Sequence, residues 1–206
     1  MNAIVLGSML ENAELVQKGI SGLTLSFVQS FEEMCLKEGD VYFILTDNWE
    51  RNMLIDLPSK PIFLNSVTKT LKNLQLPPNV CRINGWPTFI SRSVWEVCGD
   101  EKMIEEIFVP NGVRYVIVKD EPGFVAARII AMLVNEAYYL LEDKISTRDE
   151  INIAMKLGTN YPYGPFEWAS KIGEGKIFNL LQQLAKTSQK YQPATTLYDT
   201  NYNVKN

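Results

Sequence analysis

Seven short apolar runs fill the first 119 residues, and then the pattern stops. They are AIVLG (3–7), LTLSFV (23–28), VYFILTD (41–47), PIFLNSV (61–67), VCRING (80–85), SVWEV (93–97) and YVIVK (115–119). Each is rich in apolar or β-branched residues and is bounded by Gly, Pro, Asp or Asn, which reads as a strand. Amphipathic segments such as LENAELVQKGI and EKMIEEIF lie between several of them. Strands that alternate with helices build a mostly parallel sheet covered by helices. No internal repeat or low-complexity tract interrupts the order.

From Asp120 onward the pattern is helical. GFVAARIIAMLVNEAYYLLEDK places apolar residues at 124, 125, 129, 132, 133, 137, 140 and 141, a wide helical stripe that needs covering. Asp120 and Glu121 suit the positive end of that helix, and Pro122 suits its first turn. In STRDEINIAMKLG, Thr147 and Glu150 have capping-box spacing, and Gly158 is a natural stop. A third helix opens at Pro165 and ends at Gly173. A fourth puts Ile177, Leu180, Leu181 and Leu184 on one face. The polar tail from Tyr191 reads as turn-rich, with its end disordered. Two domains are expected: an α/β unit over 1–119 and an all-α unit over 120–206.

Composition narrows the function. The chain has no histidine, which excludes a histidine general base, a Ser–His or Cys–His pair and most zinc sites. Net charge is −4, so no overall field draws nucleic acid or anionic lipid. The longest apolar run, IIAMLV, is far too short to span a bilayer. Cys35, Cys81 and Cys98 have no metal-ligand spacing and fit a reducing compartment. With no basic leader at the start, the expected location is the cytoplasm, with no metal, nucleic-acid or membrane partner. Cys81 and Cys98 lie in strand-like runs and are expected to be buried and inert. Glu105 and Glu106 read as a solvated helix face, and the four tryptophans as core or interface.

KLGTNYPYGPFEWA (156–169) carries two glycines, two prolines and four aromatic residues. Gly158 and Gly164 are expected to take backbone conformations closed to other residues. Pro162 and Pro165 fix φ, while Tyr161, Tyr163, Phe166 and Trp168 supply area to bury. The stretch reads as a packing knot at a domain or dimer interface.

Over roughly residues 117–173 these pieces join into a longer pattern. VKDEPGF opens a helix, NEA sits within it, and MKLG leads to YPYGPFE. In this the chain resembles the 3-hydroxyacyl-CoA dehydrogenase family. The resemblance implies an α/β fold, a shortened Rossmann-like parallel sheet domain followed by an all-α dimerisation domain. It also implies a homodimer through 120–206, and an NAD-dependent hydride transfer on an acyl-CoA-like substrate if the family function persists.

The positions that the family uses are altered here. The cofactor turn, G-x-G-x-x-G in the family, reads GSMLEN, so Gly7 survives, Met9 carries a side chain and Asn12 replaces the last glycine. Glu32 lies at about the distance of the ribose-binding acid, beyond the second strand. Glu96 matches the family's dyad glutamate, but counting back without gaps puts Asn84 at the histidine position. The substrate serine falls on Val67, though Ser66 or Thr68 could serve if the register shifts. The substrate asparagine falls on Ala127, pinned by Gly123, Phe124 and Arg128.

Together these changes argue against a bound cofactor. They point to a pseudoenzyme linked to fatty-acid metabolism, an acyl-CoA-type binding or assembly protein. Two alternatives stand beside it. One is a working oxidoreductase that uses Tyr or Lys as its base. The other is a purely structural dimerisation module whose cleft is filled by Trp86, Trp95 and Met9.

Overall fold

The computed structural model describes residues 1–197. They divide into two compact units, Met1–Phe124 and a second beginning at Val125.

The first unit holds seven strands: β1 (Asn2–Leu6), β2 (Thr24–Val28), β3 (Val41–Ile44), β4 (Ile62–Asn65), β5 (Val80–Ile83), β6 (Val94–Cys98) and β7 (Arg114–Ile117). They form one sheet in the order β2-β1-β3-β4-β5-β6-β7. Every pairing is parallel except β5–β6, where Arg82 lies opposite Cys98 and Ile83 opposite Val97. All seven runs read from the sequence are strands. The commoner doubly wound order, 3-2-1-4-5-6, carries a further strand outside the second. Here β2 has only β1 beside it, so the unit is a shortened form of that fold.

Helices α1 (Met9–Lys18), α2 (Phe31–Leu36), α3 (Arg51–Ile55), α4 (Leu71–Leu74) and α5 (Glu101–Phe108) link the strands. Three of them are too short to leave a helical stripe in the sequence. β1, β3, β4 and β5 bury nearly every residue, as strands covered on both faces must. Their side chains alternate between two cores. Ala3, Val5, Phe43 and Phe63 join Trp95 and Phe108 on one face, while Ile4, Leu6, Ile44 and Leu64 join Met34 and Leu54 on the other. The Phe63 and Phe108 rings stack at 4.5 Å.

The second unit contains α6 (Ala126–Glu142), α7 (Arg148–Thr159), α8 (Pro165–Ile172) and α9 (Glu174–Ala185). Four expectations for this region are corrected. Asp120 to Phe124 belong to the first unit, so the boundary falls after Phe124. Gly123 and Phe124 take left-handed backbone (φ 85° and 49°), and α6 therefore starts at Ala126 rather than at Pro122. α7 runs through Gly158 to end at Asn160, whose φ of 56° makes it the left-handed cap. The face that α6 buries is Ala127, Ile130, Ala131, Val134, Asn135, Ala137 and Tyr138; of the expected stripe only Phe124 and Ala137 are buried. Small residues let α8 and α9 approach closely beside Ile130 and Val134, while two of the large aliphatics turn outward. Val125 and Ile129 are each 53% exposed.

Gly158 and Gly164 also differ from expectation, since neither takes a positive φ. Gly164 is needed for space, because a Cβ there would lie 2.6 Å from the Asn152 Cα. Glu167 closes this corner. Its carboxylate accepts from the Gly164 N–H at 2.9 Å and from Lys156 Nζ at 2.7 Å. Trp168 is buried, Phe166 packs edge-on to Tyr138 at 5.2 Å, and Tyr161 stays exposed. Burial and the Glu174 carboxylate push the Tyr138 hydroxyl up to about 12.

The tail docks rather than straying as far as Leu197. Asn135 donates to the Gln192 carbonyl and accepts from the Ala194 N–H, both at 2.8 Å. The expected disordered end lies outside the described residues.

Candidate functional site

The chain runs from β1 to β2 on one side of β1, then crosses to β3 on the other. At such a reversal the connections leave in opposite directions, and a crevice opens beyond the carboxyl ends of the strands. Here it has a volume of about 720 Å³. Gly7, Ser8, Met9 and Asn12 line one wall, and Glu32 and Asn48 line others. The three expected cofactor positions, Gly7, Met9 and Glu32, are thus brought together.

Their chemistry does not suit a pyrophosphate. A dinucleotide turn presents free backbone N–H groups at a helix N-terminus. In this turn Glu11 folds back, and its carboxylate accepts the Ser8 N–H at 2.8 Å while the Ser8 hydroxyl caps the Glu11 N–H. Glu11 is only 6% exposed, so the charge is held in place. Asn12 turns its amide into the same turn and donates to the Gly7 carbonyl at 3.1 Å. Met9 is 89% exposed, so it fills no cleft, contrary to one expectation from the sequence. Glu32 sits in the first turn of α2, where hydrogen bonds from the Ser30 hydroxyl and its own backbone N–H lower its pKa.

The dyad positions also meet. Asn84 follows β5, Glu96 lies in β6, and the antiparallel register places them side by side. Asn84 Nδ2 donates to Glu96 Oε2 at 2.8 Å, and the Asn84 N–H donates to the Glu96 carbonyl at 3.2 Å. The glutamate is therefore partnered and half-buried rather than simply solvated. An amide has no accessible proton-accepting form near neutrality, so this pair holds geometry without supplying a base. The Asn84 Oδ1 is buried with no hydrogen-bond partner.

Val67 and Ala127 are both buried, at 3% and 0% exposure. Val67 contributes only its carbonyl, which accepts from the Gly123 N–H at 2.7 Å. Ser66 donates to the Lys69 carbonyl at 3.0 Å. Trp86 and Trp95 are core residues of the sheet unit.

Several residues near these positions were missed in the sequence. Arg82 is wholly buried and donates to the Ser66 carbonyl at 2.8 Å and to Asp120 at 2.5 Å, with the Phe124 ring 4.6 Å away. Asp120 also accepts from the Leu71 and Lys72 N–H groups at 3.0 and 3.1 Å. It thus caps α4, not the helix that follows it. Burial alone would raise its pKa, but those two N–H groups and Arg82 outweigh burial and hold it low. Burial pushes the Cys81 and Cys98 thiols up to about 11, leaving them protonated and inert. Glu14 on α1 accepts from the Thr88 and Ser91 N–H groups and so ties down the loop between β5 and β6.

The first unit is a shortened doubly wound sheet with a crevice at its switch point, and a helical unit follows it in the chain. The 3-hydroxyacyl-CoA dehydrogenase C-terminal domain family matches residues 123–203. Over 82 residues the chain is 37% identical to the 3-hydroxyadipyl-CoA dehydrogenase of Escherichia coli K12, covering 39% of this chain and 17% of that protein. Over 95 residues it is 33% identical to the 3-hydroxybutyryl-CoA dehydrogenase of Bradyrhizobium diazoefficiens, covering 45% and 32%. The chain thus spans less than a third of the length of either curated relative. The crystal structure of (S)-3-hydroxybutyryl-CoA dehydrogenase from Ralstonia eutropha superimposes with a TM-score of 0.72 at 18% identity, over 96% of this chain and 92% of that one. Residues 123–203 are thus similar to the helical domain of the 3-hydroxyacyl-CoA dehydrogenases, and the chain shares the fold of the Ralstonia eutropha enzyme. Among the described residues no helix is long and apolar enough to cross a membrane, and no cluster of side chains could hold a metal ion.

Proposed function

We propose that this chain is a relative of the 3-hydroxyacyl-CoA dehydrogenases that has no hydride-transfer step and acts as an acyl-CoA-type binding or assembly protein near fatty-acid metabolism. The observation that carries the reading is Asn84, an amide hydrogen-bonded to Glu96 where the reaction needs a proton acceptor. The crevice supports it, because its helix N-terminus already holds the carboxylate of Glu11. A homodimer through 120–206 completes the proposal. Its support is the outward-facing apolar pairs of the helical unit, Val125 and Ile129 at the start of α6, and Ile153 and Leu157 on α7.

A thermal-shift series with NADH, acetoacetyl-CoA and both tests this reading, since a ligand that binds only the folded state raises the melting point. A rise with the thioester alone is expected. Thioester-dependent oxidation of NADH at a rate typical of such dehydrogenases would overturn it and leave a Tyr or Lys base as the account. Silence from both ligands favours the purely structural module, a reading that the burial of Val67 and Ala127 supports.

A further inference from the structure

We infer that Glu11 is a built-in anion that takes the phosphate place of the switch-point crevice and makes the crevice selective for uncharged ligands of nucleoside size. A capping box is an ordinary way to begin a helix. Its consequence here comes from position. The N–H that Glu11 occupies belongs to Ser8, in the turn that both starts α1 and lines the crevice. A phosphate entering there would have to displace a buried carboxylate from its donor or lie against its charge. Either way the favourable end of the helix dipole is already used.

The rest of the lining agrees. Among the described residues no Lys or Arg lines the crevice, and Glu32 adds a second carboxylate. Phe27 and Phe31 offer apolar surface, while Gln29, Thr46 and Asn48 offer neutral hydrogen-bonding groups. About 720 Å³ falls within the usual range for small-molecule sites. An uncharged molecule with a planar ring and several hydroxyl or amino groups fits that chemistry, and a nucleotide does not. The inference rests on the crevice alone and is independent of thioester binding.

The test is an amide NMR titration of the full chain with inorganic pyrophosphate and, separately, with adenosine. Wild type, Glu11→Ala and Glu11→Gln are compared. Pyrophosphate is expected to leave the Ser8, Met9 and Leu10 amides of wild type unmoved. It is expected to bind Glu11→Ala at least about tenfold more tightly, a difference of about 1.4 kcal/mol. Glu11→Gln removes the charge but can still accept from Ser8, so it should gain less. It also guards against a Glu11→Ala chain that merely frays at α1. Adenosine should move crevice amides equally in all three. Pyrophosphate binding to wild type as tight as to Glu11→Ala, or no gain in either variant, would overturn the role of Glu11. An adenosine titration that moves nothing in wild type would overturn the selectivity.

Discussion

Replacing Asn84 with histidine would turn the Asn84–Glu96 contact into a measurement. The amide makes one side-chain hydrogen bond, 2.8 Å to Glu96 Oε2, and its oxygen has no partner, so the exchange sacrifices little. An imidazole there would face a half-buried carboxylate at hydrogen-bond distance. Two effects oppose each other. A charge-assisted hydrogen bond is worth about 1.5–3 kcal/mol and favours the imidazolium. Burial disfavours it, and this position is 5% exposed. With the carboxylate so close, the pairing should win by about 1.4 kcal/mol, which is about one pKa unit above the ordinary histidine value of about 6.5.

The sign is then determined. A folded-state pKa of about 7.5 against an unfolded value of about 6.5 gives a stabilisation that is complete below about pH 6.5 and disappears as pH rises through about 7.5. The chain has no other histidine, so the Asn84→His variant shows a single imidazole resonance whose titration needs no assignment. Urea midpoints at pH 6 and 8.5 supply the second readout. Adding Glu96→Gln should return the midpoint to 6.5 or below. The reasoning fails if the resonance titrates at or below 6.5 with Glu96 intact, or if the raised value survives Glu96→Gln.

Three further outcomes are expected. Asp120→Asn should cost about 3 kcal/mol, because it leaves the buried Arg82 cation without its counter-charge; a smaller loss in urea denaturation would mean that the carbonyl partners of Arg82 suffice. In wild type the Asp120 contribution is present above its unfolded pKa of about 3.9 and is lost as pH falls through its lower folded value, so Asp120→Asn should flatten the acid limb of the stability curve. Thr88→Gly should stabilise by about 1 kcal/mol, since a β-branched residue at φ 76° is strained and glycine is not; a fall in melting temperature would show that the Glu14 clamp depends on the threonine. Leu157, at 82% exposure, carries little of its own unit's core, so Leu157→Asp should convert the proposed dimer to monomer without loss of helix content, and a wild type that is monomeric at micromolar concentration would refute the dimer.

How legible each feature was depends on the range over which its cause acts. The strands were plain because a sheet covered on both faces forces near-continuous apolar runs, and the cores divide Ala3 and Val5 from Ile4 and Leu6 as the period requires. The α6 stripe was placed out of phase because most positions of this helix are apolar, and Ile130 and Val134 are buried one residue beyond the expected Ile129 and Leu133. Ala127 and Ala131 are buried for being small, and Ile129 is exposed although it is large. Glu11 had a readable signal, Ser-x-x-Glu directly after a strand, which marks a capping box and so a filled helix terminus. The Arg82–Asp120 pair had none. Its partners lie 38 residues apart, and the β5–β6 and β6–β7 pairings bring the end of β7 back toward β5. The positive φ of Thr88 was equally hidden, because threonine is among the residues least suited to it.

The persistence of the family signature is weak evidence for retained chemistry, because several signature residues have work inside their own unit. Asp120 caps α4 and neutralises Arg82, and Gly123 turns the chain so that its N–H reaches Val67. Asn135 fastens the tail, and Glu167 closes the α7–α8 corner through Gly164 and Lys156. Removing Asp120 or Asn135 would leave a buried group without its partner, at about 1–3 kcal/mol each. The positions within the expected cofactor turn and dyad behave differently. Glu11 satisfies the Ser8 N–H, Asn12 bonds to Gly7, and Asn84 bonds to Glu96. In each case a donor that a cofactor or substrate could engage is bonded within the chain, although the Asn12 and Asn84 side-chain oxygens are left without partners. Folding therefore accounts for these matching residues, and under the proposed function the internal bonds at Glu11, Asn12 and Asn84 stand where the reaction would need free groups.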